Sequence, residues 1–456
     1  MVIDPKDNVE VRSDGHKYAR VAIAAGANII KYGMPIGHAT CAIAAGEHVH
    51  THNCATNLGG QESYMWNGSE GVEQPRPATI PTFQGFRRSD GRVGIRNELW
   101  IVPTVGCVNA LCERLAAYGN AKGSHVCVAL SHPYGCSQLG TDHETTANLL
   151  AALCCHPNAG GVLIVALGCE NNTLETFLPR VKRTEGVRVL RAQDPGDEFA
   201  QGCAQVDELL AEMGRMTREE IPVSELVVGL KCGGSDGFSG LTANPLVGRF
   251  SDWLVARGGS TVLTEVPEMF GAETLLMRRC RDRVTFEKCV KMINDFKAYY
   301  ESHGEPCCEN PSPGNKAGGI TTLEDKSLGC VQKGGKSTVV DVLGYGDCVK
   351  TKGLSLLTGP GNDLVASTVL AAAGCSLILF TTGRGTPFGT VVPTMKIATN
   401  ETLAKAKPHW IDWDAMSNDD VEAFAAKVLA VASGTPARNE VENARGIAIF
   451  KDGVTL

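Results

Sequence analysis

The fold is decided at residues 99–105, Leu-Trp-Ile-Val-Pro-Thr-Val, a largely apolar run of strand length. Such a run indicates a strand buried on both faces, as in a parallel sheet. A helical pattern at residues 110–118 follows it, and residues 126–130 and 161–167 repeat the apolar run on either side of a second helical pattern at residues 145–153. Strands that alternate with helices predict an α/β domain with a parallel sheet.

The same alternation continues beyond a polar segment at residues 213–223, which we interpret as a domain boundary. Residues 287–300 are predicted to form a helix in this later part of the chain. Further strands are predicted at residues 226–230, 261–264, 338–342 and 375–380. The C-terminal part of the chain is therefore expected to be a second α/β domain.

The N-terminal residues 1–60 show short strands separated by turns instead of long helical patterns. Residues 29–33 and 35–39 predict a strand–turn–strand unit within a small β domain. Residues 61–84 contain glycine and proline clusters that are typical of a linker. The expected fold class is α/β, with a β domain at residues 1–60, the linker at residues 61–84 and two Rossmann-like α/β domains at residues 85–215 and 222–456.

Length and composition limit the kind of protein this is. A chain of 456 residues is expected to form two or three domains, and its net charge of -7 argues against nucleic-acid binding. The sequence contains no apolar stretch of about 18 residues, so no membrane span is predicted. The first residues do not resemble a signal peptide. We therefore expect a cytoplasmic protein, in which the 18 cysteines do not form a disulfide framework.

Four of these cysteines follow predicted strands in the same way. They are Cys107, Cys136, Cys169 and Cys232, each in a glycine-containing turn. Loops at the carboxyl ends of parallel strands converge on the ligand crevice, so the four thiols are expected to meet there. Thiolates favour iron, as Fe2+ or as a labile iron–sulfur cluster. The alternative is that all four are small buried residues in tight turns.

A second candidate group is the segment His-Val-His-Thr-His at residues 48–52. If this segment is a strand, His48, His50 and His52 point to the same face, because strand side chains alternate. Three imidazoles on one face suit a divalent metal or an anionic substrate. The alternative is an exposed polar face of the strand. His16 in the same domain either adds to this group or caps a turn.

Two glycine- and proline-rich segments of the C-terminal part carry basic residues. Lys316 lies in the segment at residues 310–319, and Arg384 lies in the segment at residues 382–387. Either cation is suited to hold a carboxylate, and the alternative is that both segments are simple turns. Asp236, which follows the fourth cysteine, is expected to join them in binding a substrate.

Motifs along almost the whole chain resemble the altronate/galactarate dehydratase family. They lie at residues 97–109, 134–140, 167–172, 231–237, 265–273, 310–330, 382–387, 409–412 and 452–456. The resemblance implies that the N-terminal β domain is of the SAF type. It also implies loss of water from D-altronate to give 2-dehydro-3-deoxy-D-gluconate, a step of hexuronate catabolism, with activation by Fe2+ or alternatively Mn2+.

The implied reaction assigns roles to the candidate residues. A metal ion on the substrate carboxylate and C2 hydroxyl acidifies the C2 proton, with the four cysteines as candidate ligands. His50, His52 and His132 are the candidates for the acid and the base. The partner is a small sugar acid, and assembly into a homo-oligomer is left open. The alternatives are dehydration of another sugar acid such as galactarate, a sulfo-lyase reaction, or sugar-acid binding without catalysis.

Overall fold

The computed structural model describes residues 1–59, 63–73, 75–307 and 310–456. The first domain consists of two three-stranded antiparallel sheets, in the orders β1-β2-β5 and β3-β4-β6. Its strands are β1 (Val9–Val11), β2 (Lys17–Ala19), β3 (Asn28–Lys31), β4 (Met34–Ala39), β5 (His48–Val49) and β6 (Cys54–Ala55). The pairing of β3 with β4 confirms the predicted strand–turn–strand unit. Tyr32 and Gly33 make its turn with φ of 60° and 72°, as a tight hairpin requires.

The predicted linker leads into a small three-stranded sheet. Its described residues before position 82 contain no helix or extended strand, and residues 60–62 and 74 lie outside the described residues. The sheet has the order β13-β7-β8 and consists of β7 (Thr82–Arg87), β8 (Val93–Gly94) and β13 (Glu219–Pro222). The polar boundary at residues 213–223 thus includes a strand, and the chain enters and leaves the second domain through paired strands.

The second domain is a parallel four-stranded sheet with the order β10-β9-β11-β12. Its strands are β9 (Glu98–Pro103), β10 (Cys127–Ala129), β11 (Ala159–Ala166) and β12 (Val187–Arg191). Its helices are α1 (Asn109–Ala121), α2 (Thr141–Cys154), α3 (Leu174–Phe177) and α4 (Glu198–Met213). Every residue of β9 and β11 is buried, which explains why these strands read as continuous apolar runs. Neither β12 nor α4 was predicted from the sequence.

The third domain is a parallel seven-stranded sheet with the order β16-β17-β15-β14-β18-β19-β20. Its strands are β14 (Val227–Cys232), β15 (Ser260–Leu263), β16 (Val339–Leu343), β17 (Leu354–Leu357), β18 (Leu377–Thr382), β19 (Thr394–Ala398) and β20 (Trp413–Asp414). The described helices are α5 (Ala243–Ala256), α6 (Glu273–Met277), α7 (Arg283–Ser302), α8 (Pro313–Ala317), α9 (Leu323–Cys330), α10 (Asp363–Ala372), α11 (Glu401–Ala406), α12 (Val421–Ala432) and α13 (Arg438–Val441). The two sheets confirm the expected α/β class.

The three domains share their apolar cores. One buried cluster joins first-domain residues such as Ile36 to third-domain residues such as Phe250, and a second joins Trp100 of the second domain to Phe380 of the third. Among the described residues, no helix combines the length and the apolar character needed to cross a membrane.

Candidate active site

A cavity lies at the point where the strand order of the third domain reverses direction. From β14 the chain proceeds to β15 on one side, and it later returns to β18 on the other side. Ligands bind at such switch points, outside the carboxyl ends of the strands. A cavity of about 1120 Å³ lies here, with Asp236 after β14, Arg384 after β18 and Asn400 after β19 among its lining residues. Arg12 and Asp14 of the first domain close it from the other side.

The short helix α8 connects this cavity to the histidines of the first domain. Arg384 Nη1 donates to the Gly314 carbonyl at 3.1 Å, and His50 Nε2 lies 2.9 Å from the Lys316 carbonyl. Three of the predicted site residues, His50, Lys316 and Arg384, therefore lie around one helical turn. Local sequence patterns could not reveal this, because His50 and Lys316 are 266 positions apart in the chain.

Four imidazoles gather beside α8. The His48 ring centroid is 5.2 Å from that of His16, 5.5 Å from that of His50 and 5.6 Å from that of His52. His48 Nε2 lies 3.3 Å from His16 Nδ1. The three histidines at residues 48–52 do share a face, although β5 itself includes only the first of them. His16 belongs to the group and does not simply cap a turn.

The environment of His50 determines which of its nitrogens is basic. A carbonyl oxygen can only accept, so the Lys316 carbonyl requires the hydrogen on Nε2 and leaves Nδ1 as the basic atom. That Nδ1 lies 3.0 Å from Thr51 Oγ1. Burial lowers the pKa of His50, and the charge of Lys17 lowers it further. The hydrogen bond to the Lys316 carbonyl opposes this decrease. His50 is therefore neutral near pH 7 and can accept a proton at Nδ1.

Asp236 lies on the cavity wall, but its carboxylate is already engaged by the protein. Ser239 Oγ, Thr399 Oγ1 and Asn400 Nδ2 donate to it at 2.9–3.0 Å. Burial raises the pKa of Asp236, and these hydrogen bonds oppose that increase. An added Cβ at Gly383 would overlap with this carboxylate. These contacts favour a role for Asp236 in positioning the loops after β14, β18 and β19 over direct substrate binding.

His132 lies in the second domain and is 3% exposed. Its Nε2 is 2.9 Å from the Pro103 carbonyl, and its Nδ1 accepts from the Tyr134 backbone N–H at 3.1 Å. Burial lowers the pKa of His132 to about 4. Because both ring nitrogens are engaged within the fold, these contacts favour a structural role for His132, and its role as acid or base stays a prediction.

Three of the four predicted cysteines lie in loops at the carboxyl edge of the second domain's sheet. Their loops are interlocked, since the Asn172 N–H donates to the Gly135 carbonyl at 3.0 Å and Cys136 Sγ lies 3.3 Å from Asn171 Oδ1. The thiols of Cys107 and Cys169 are exposed. This edge also contains a switch point, between β9 and β11, because the strand order reverses there as well.

The fourth cysteine, Cys232, has different neighbours. Its Sγ lies 3.3 Å from Cys330 Sγ and 3.1 Å from Glu268 Oε2, and Cys330 Sγ lies 3.0 Å from the same oxygen. All three residues are buried, and no other trio of close potential metal ligands occurs in the part of the chain that the structure describes. The structure thus divides the predicted quartet, because each of the two sheets has its own carboxyl edge.

Buried lysines surround this trio. Lys326 Nζ lies 2.6 Å from Glu268 Oε1, and Lys333 Nζ lies 3.1 Å from Glu265 Oε2. Burial alone would raise the pKa of Glu268, but the charge of Lys326 and the other lysines holds it below its ordinary value. The sequence pointed to Glu268 only as one of several acids that could assist, and Cys330 was not predicted as a partner of Cys232. The available signal was Lys231, a charged residue within the apolar run of β14.

The fold and the site describe a three-domain α/β protein with a cavity between its first and third domains, lined in part by charged side chains. Three family models match the chain: the altronate/galactarate dehydratase SAF domain at residues 2–57, the second domain of D-galactarate dehydratase/altronate hydrolase at residues 85–214, and the C-terminal domain of D-galactarate/altronate dehydratase at residues 223–455. The chain therefore belongs to the galactarate/altronate dehydratase family of sugar-acid hydro-lyases.

Individual relatives agree with this assignment. The chain is 53% identical to altronate dehydratase of Bacillus subtilis strain 168 over 98% of its own length and 94% of that protein. It is 52% identical to altronate dehydratase of Escherichia coli K12 over the same shares of the two chains. It is 34% identical to the L-threo-forming galactarate dehydratase of Escherichia coli K12, over 90% of this chain and 82% of that protein.

Proposed function

We propose that the protein removes water from D-altronate to give 2-dehydro-3-deoxy-D-gluconate in hexuronate catabolism. Two relatives that match nearly its whole length are named for this substrate. The observation that carries the proposal is the arrangement around α8, where a neutral imidazole and a guanidinium contact neighbouring carbonyls of one helical turn. A base beside a carboxylate-binding cation is what removal of a proton next to a carboxylate requires.

In this proposal Arg384 and Lys316 hold the substrate carboxylate and orient its hydroxyls. His50 Nδ1 removes the C2 proton, and His52 assists departure of the C3 hydroxyl as water. The resulting enol becomes the 2-keto product. A divalent metal ion, when bound, would supply Lewis-acid stabilisation of the negative charge that develops at the carboxylate. Cys232, Glu268 and Cys330 offer donor atoms that fit such an ion.

The test is a panel of D-altronate, galactarate and (2R)-sulfolactate, assayed for 2-keto product after anaerobic reconstitution with Fe2+ and, separately, with Mn2+. D-altronate is expected to be the preferred substrate by at least about tenfold in kcat/KM. A preference for galactarate or for sulfolactate would contradict the proposed specificity. Binding of D-altronate without turnover under all these conditions would favour a non-catalytic sugar-acid-binding protein.

We also propose that the protein works in the cytoplasm. Apart from Cys307, the cysteines among the described residues form no disulfide, which suits a reducing compartment. Assembly into a homo-oligomer stays a prediction, and light scattering of the purified protein would test it.

A further inference from the structure

We infer that Cys232, Glu268 and Cys330 together hold one divalent transition-metal ion on one face of a six-coordinate shell. Only the catalytic role of the ion rests on the proposed function. Binding of the ion is a separate property that can be measured without any substrate.

The donor separations define the coordination geometry. The two sulfurs and the Glu268 oxygen lie 3.0–3.3 Å from one another. An ion at ordinary bond lengths, about 2.3 Å from sulfur and about 2.1 Å from oxygen, contacts all three with angles of about 90° between its bonds. Angles near 90° belong to octahedral coordination, whereas a tetrahedral Zn2+ site would need the sulfurs farther apart. Three donors on one face of an octahedral shell suit Fe2+ and ions of similar size.

The charges around the trio accommodate a bound ion. Lys231 and Lys333 also lie near it, and both pair with Glu265. Two thiolates and one carboxylate carry three negative charges, so a divalent ion leaves a single negative charge. Lys326 supplies the positive charge that offsets it, at 2.6 Å from Glu268 Oε1. This contact also leaves Glu268 Oε2 directed at both sulfurs. A charged partner that orients a ligating carboxylate in this way is a usual feature of metal sites.

The position of the trio links it to the cavity. Cys232 is the last residue of β14, and the loop that follows it reaches the cavity wall at Asp236. Lys326 Nζ also lies 3.3 Å from Asn315 Oδ1, and Asn315 Nδ2 donates to the Ser235 carbonyl at 2.9 Å. The lysine on the Glu268 carboxylate is therefore connected through one residue of α8 to the loop after β14. The trio is therefore coupled to the loop that lines the proposed substrate site.

The experiment is an anaerobic titration of the reduced, chelator-treated full-length protein with Co2+, followed by absorption spectroscopy and calorimetry. The expected result is one ion per chain, with thiolate-to-cobalt charge-transfer absorption and the weak visible bands of a six-coordinate ion. Cys330→Ser and Glu268→Gln should weaken binding at least about 100-fold, and Cys330→Ser should also reduce the charge-transfer absorption.

The matched control is Cys289→Ser. Cys289 is buried in the same domain beside a second cysteine, Cys280, but it does not belong to a trio of potential ligands among the described residues. This variant should bind Co2+ as the unaltered protein does. Unchanged binding in Cys330→Ser and Glu268→Gln, or loss of binding in Cys107→Ser or Cys169→Ser instead, would overturn the inference.

X-ray absorption of the unaltered protein loaded with Fe2+ keeps the inference testable if the variants do not fold. Two sulfur neighbours at about 2.3 Å are expected, and three or more sulfurs or none would overturn it. The two proposals can fail separately. Ion binding at the trio without turnover of any sugar acid would remove the proposed function alone, and turnover of D-altronate with no ion bound at the trio would remove this inference alone.

Discussion

Among the site residues, Arg384 is expected to contribute most directly to substrate affinity. It is exposed on the cavity wall, with one N–H of its guanidinium donating to Gly314. Charge-assisted hydrogen bonds contribute about 1.5–3 kcal/mol, so Arg384→Ala should raise KM for D-altronate by about ten- to a hundredfold. Steady-state kinetics measure this. Arg283→Ala, at an exposed position of α7, is the matched control and should leave KM unchanged.

His50 should control the acidic side of the pH–rate profile. Burial lowers its pKa, and a base must be neutral to act, so kcat/KM should fall only at pH values below the ordinary range of histidine. The charged or titratable groups around it are His16, His48, His52 and Lys17. His50→Gln should lower kcat by about 100-fold or more and remove this acidic decline. If kcat/KM of the variant declined at low pH in the same way, another group would be responsible for the decline.

At the scale of elements, the first domain is attached to α9 by a buried ion triad. Asp325 accepts from Lys17 at 2.7 Å and from Lys31 at 3.0 Å, and all three side chains are almost fully buried. Asp325→Asn should lower the free energy of unfolding by about 3–5 kcal/mol, because two lysines lose their buried counter-charge. Denaturant unfolding at pH 7 measures this loss. Asp295→Asn, at an exposed position of α7, should change the free energy little.

The same triad predicts a pH dependence of stability. Burial alone would raise the pKa of Asp325, but Lys17 and Lys31 hold it below the ordinary value of 3.8. A carboxylate with a lowered folded-state pKa stabilises the protein above its ordinary pKa, and this contribution is lost as the pH falls towards the folded-state value. The stability difference between the unaltered protein and Asp325→Asn should therefore be largest near neutral pH and narrow below about pH 4.

At the scale of the whole molecule, Arg96 connects the second domain to the third. Its guanidinium donates to both Glu440 oxygens at 2.7 Å and to the Val431 carbonyl at 2.9 Å. Arg96→Met leaves Glu440 with the hydrogen bond from the Ala437 backbone N–H at 2.8 Å and one weaker ion pair, with Arg445 at 3.6 Å. We expect the thermal unfolding of the variant to begin earlier and to separate into two transitions, because the domains lose part of their coupling.

Scanning calorimetry tests the separation into two transitions. Arg87→Met is a suitable control, since its partner is an exposed glutamate of the small sheet and both side chains are more than 40% exposed. It should unfold as the unaltered protein does. A single transition in Arg96→Met at the original temperature would show that the shared apolar cores alone couple the domains.

Much of the fold was predictable from local patterns. The runs at residues 99–105 and 161–167 became the central strands of the second domain, because strands buried on both faces need continuous apolar sequence. The edge strand β12 contains two arginines and only one fully buried residue, Leu190, which weakened its signal. The signal of β20 is also weak, because the strand has two residues and both are half-buried. Short or half-exposed strands carry too few apolar positions to be recognised.

The sequence by itself determined the α/β class, the loops that carry cysteines, and the histidine segment of the first domain. Only the tertiary structure decided which of these residues meet. Cys232 lies against Cys330, 98 positions later in the chain, and not with the three cysteines of the second domain. The physical reason is that local apolar periodicity specifies strands and helices, whereas strand order depends on the packing of whole domains. The reversal of that order at β14 placed Arg384 beside Asp236 and created the cavity that the first domain covers.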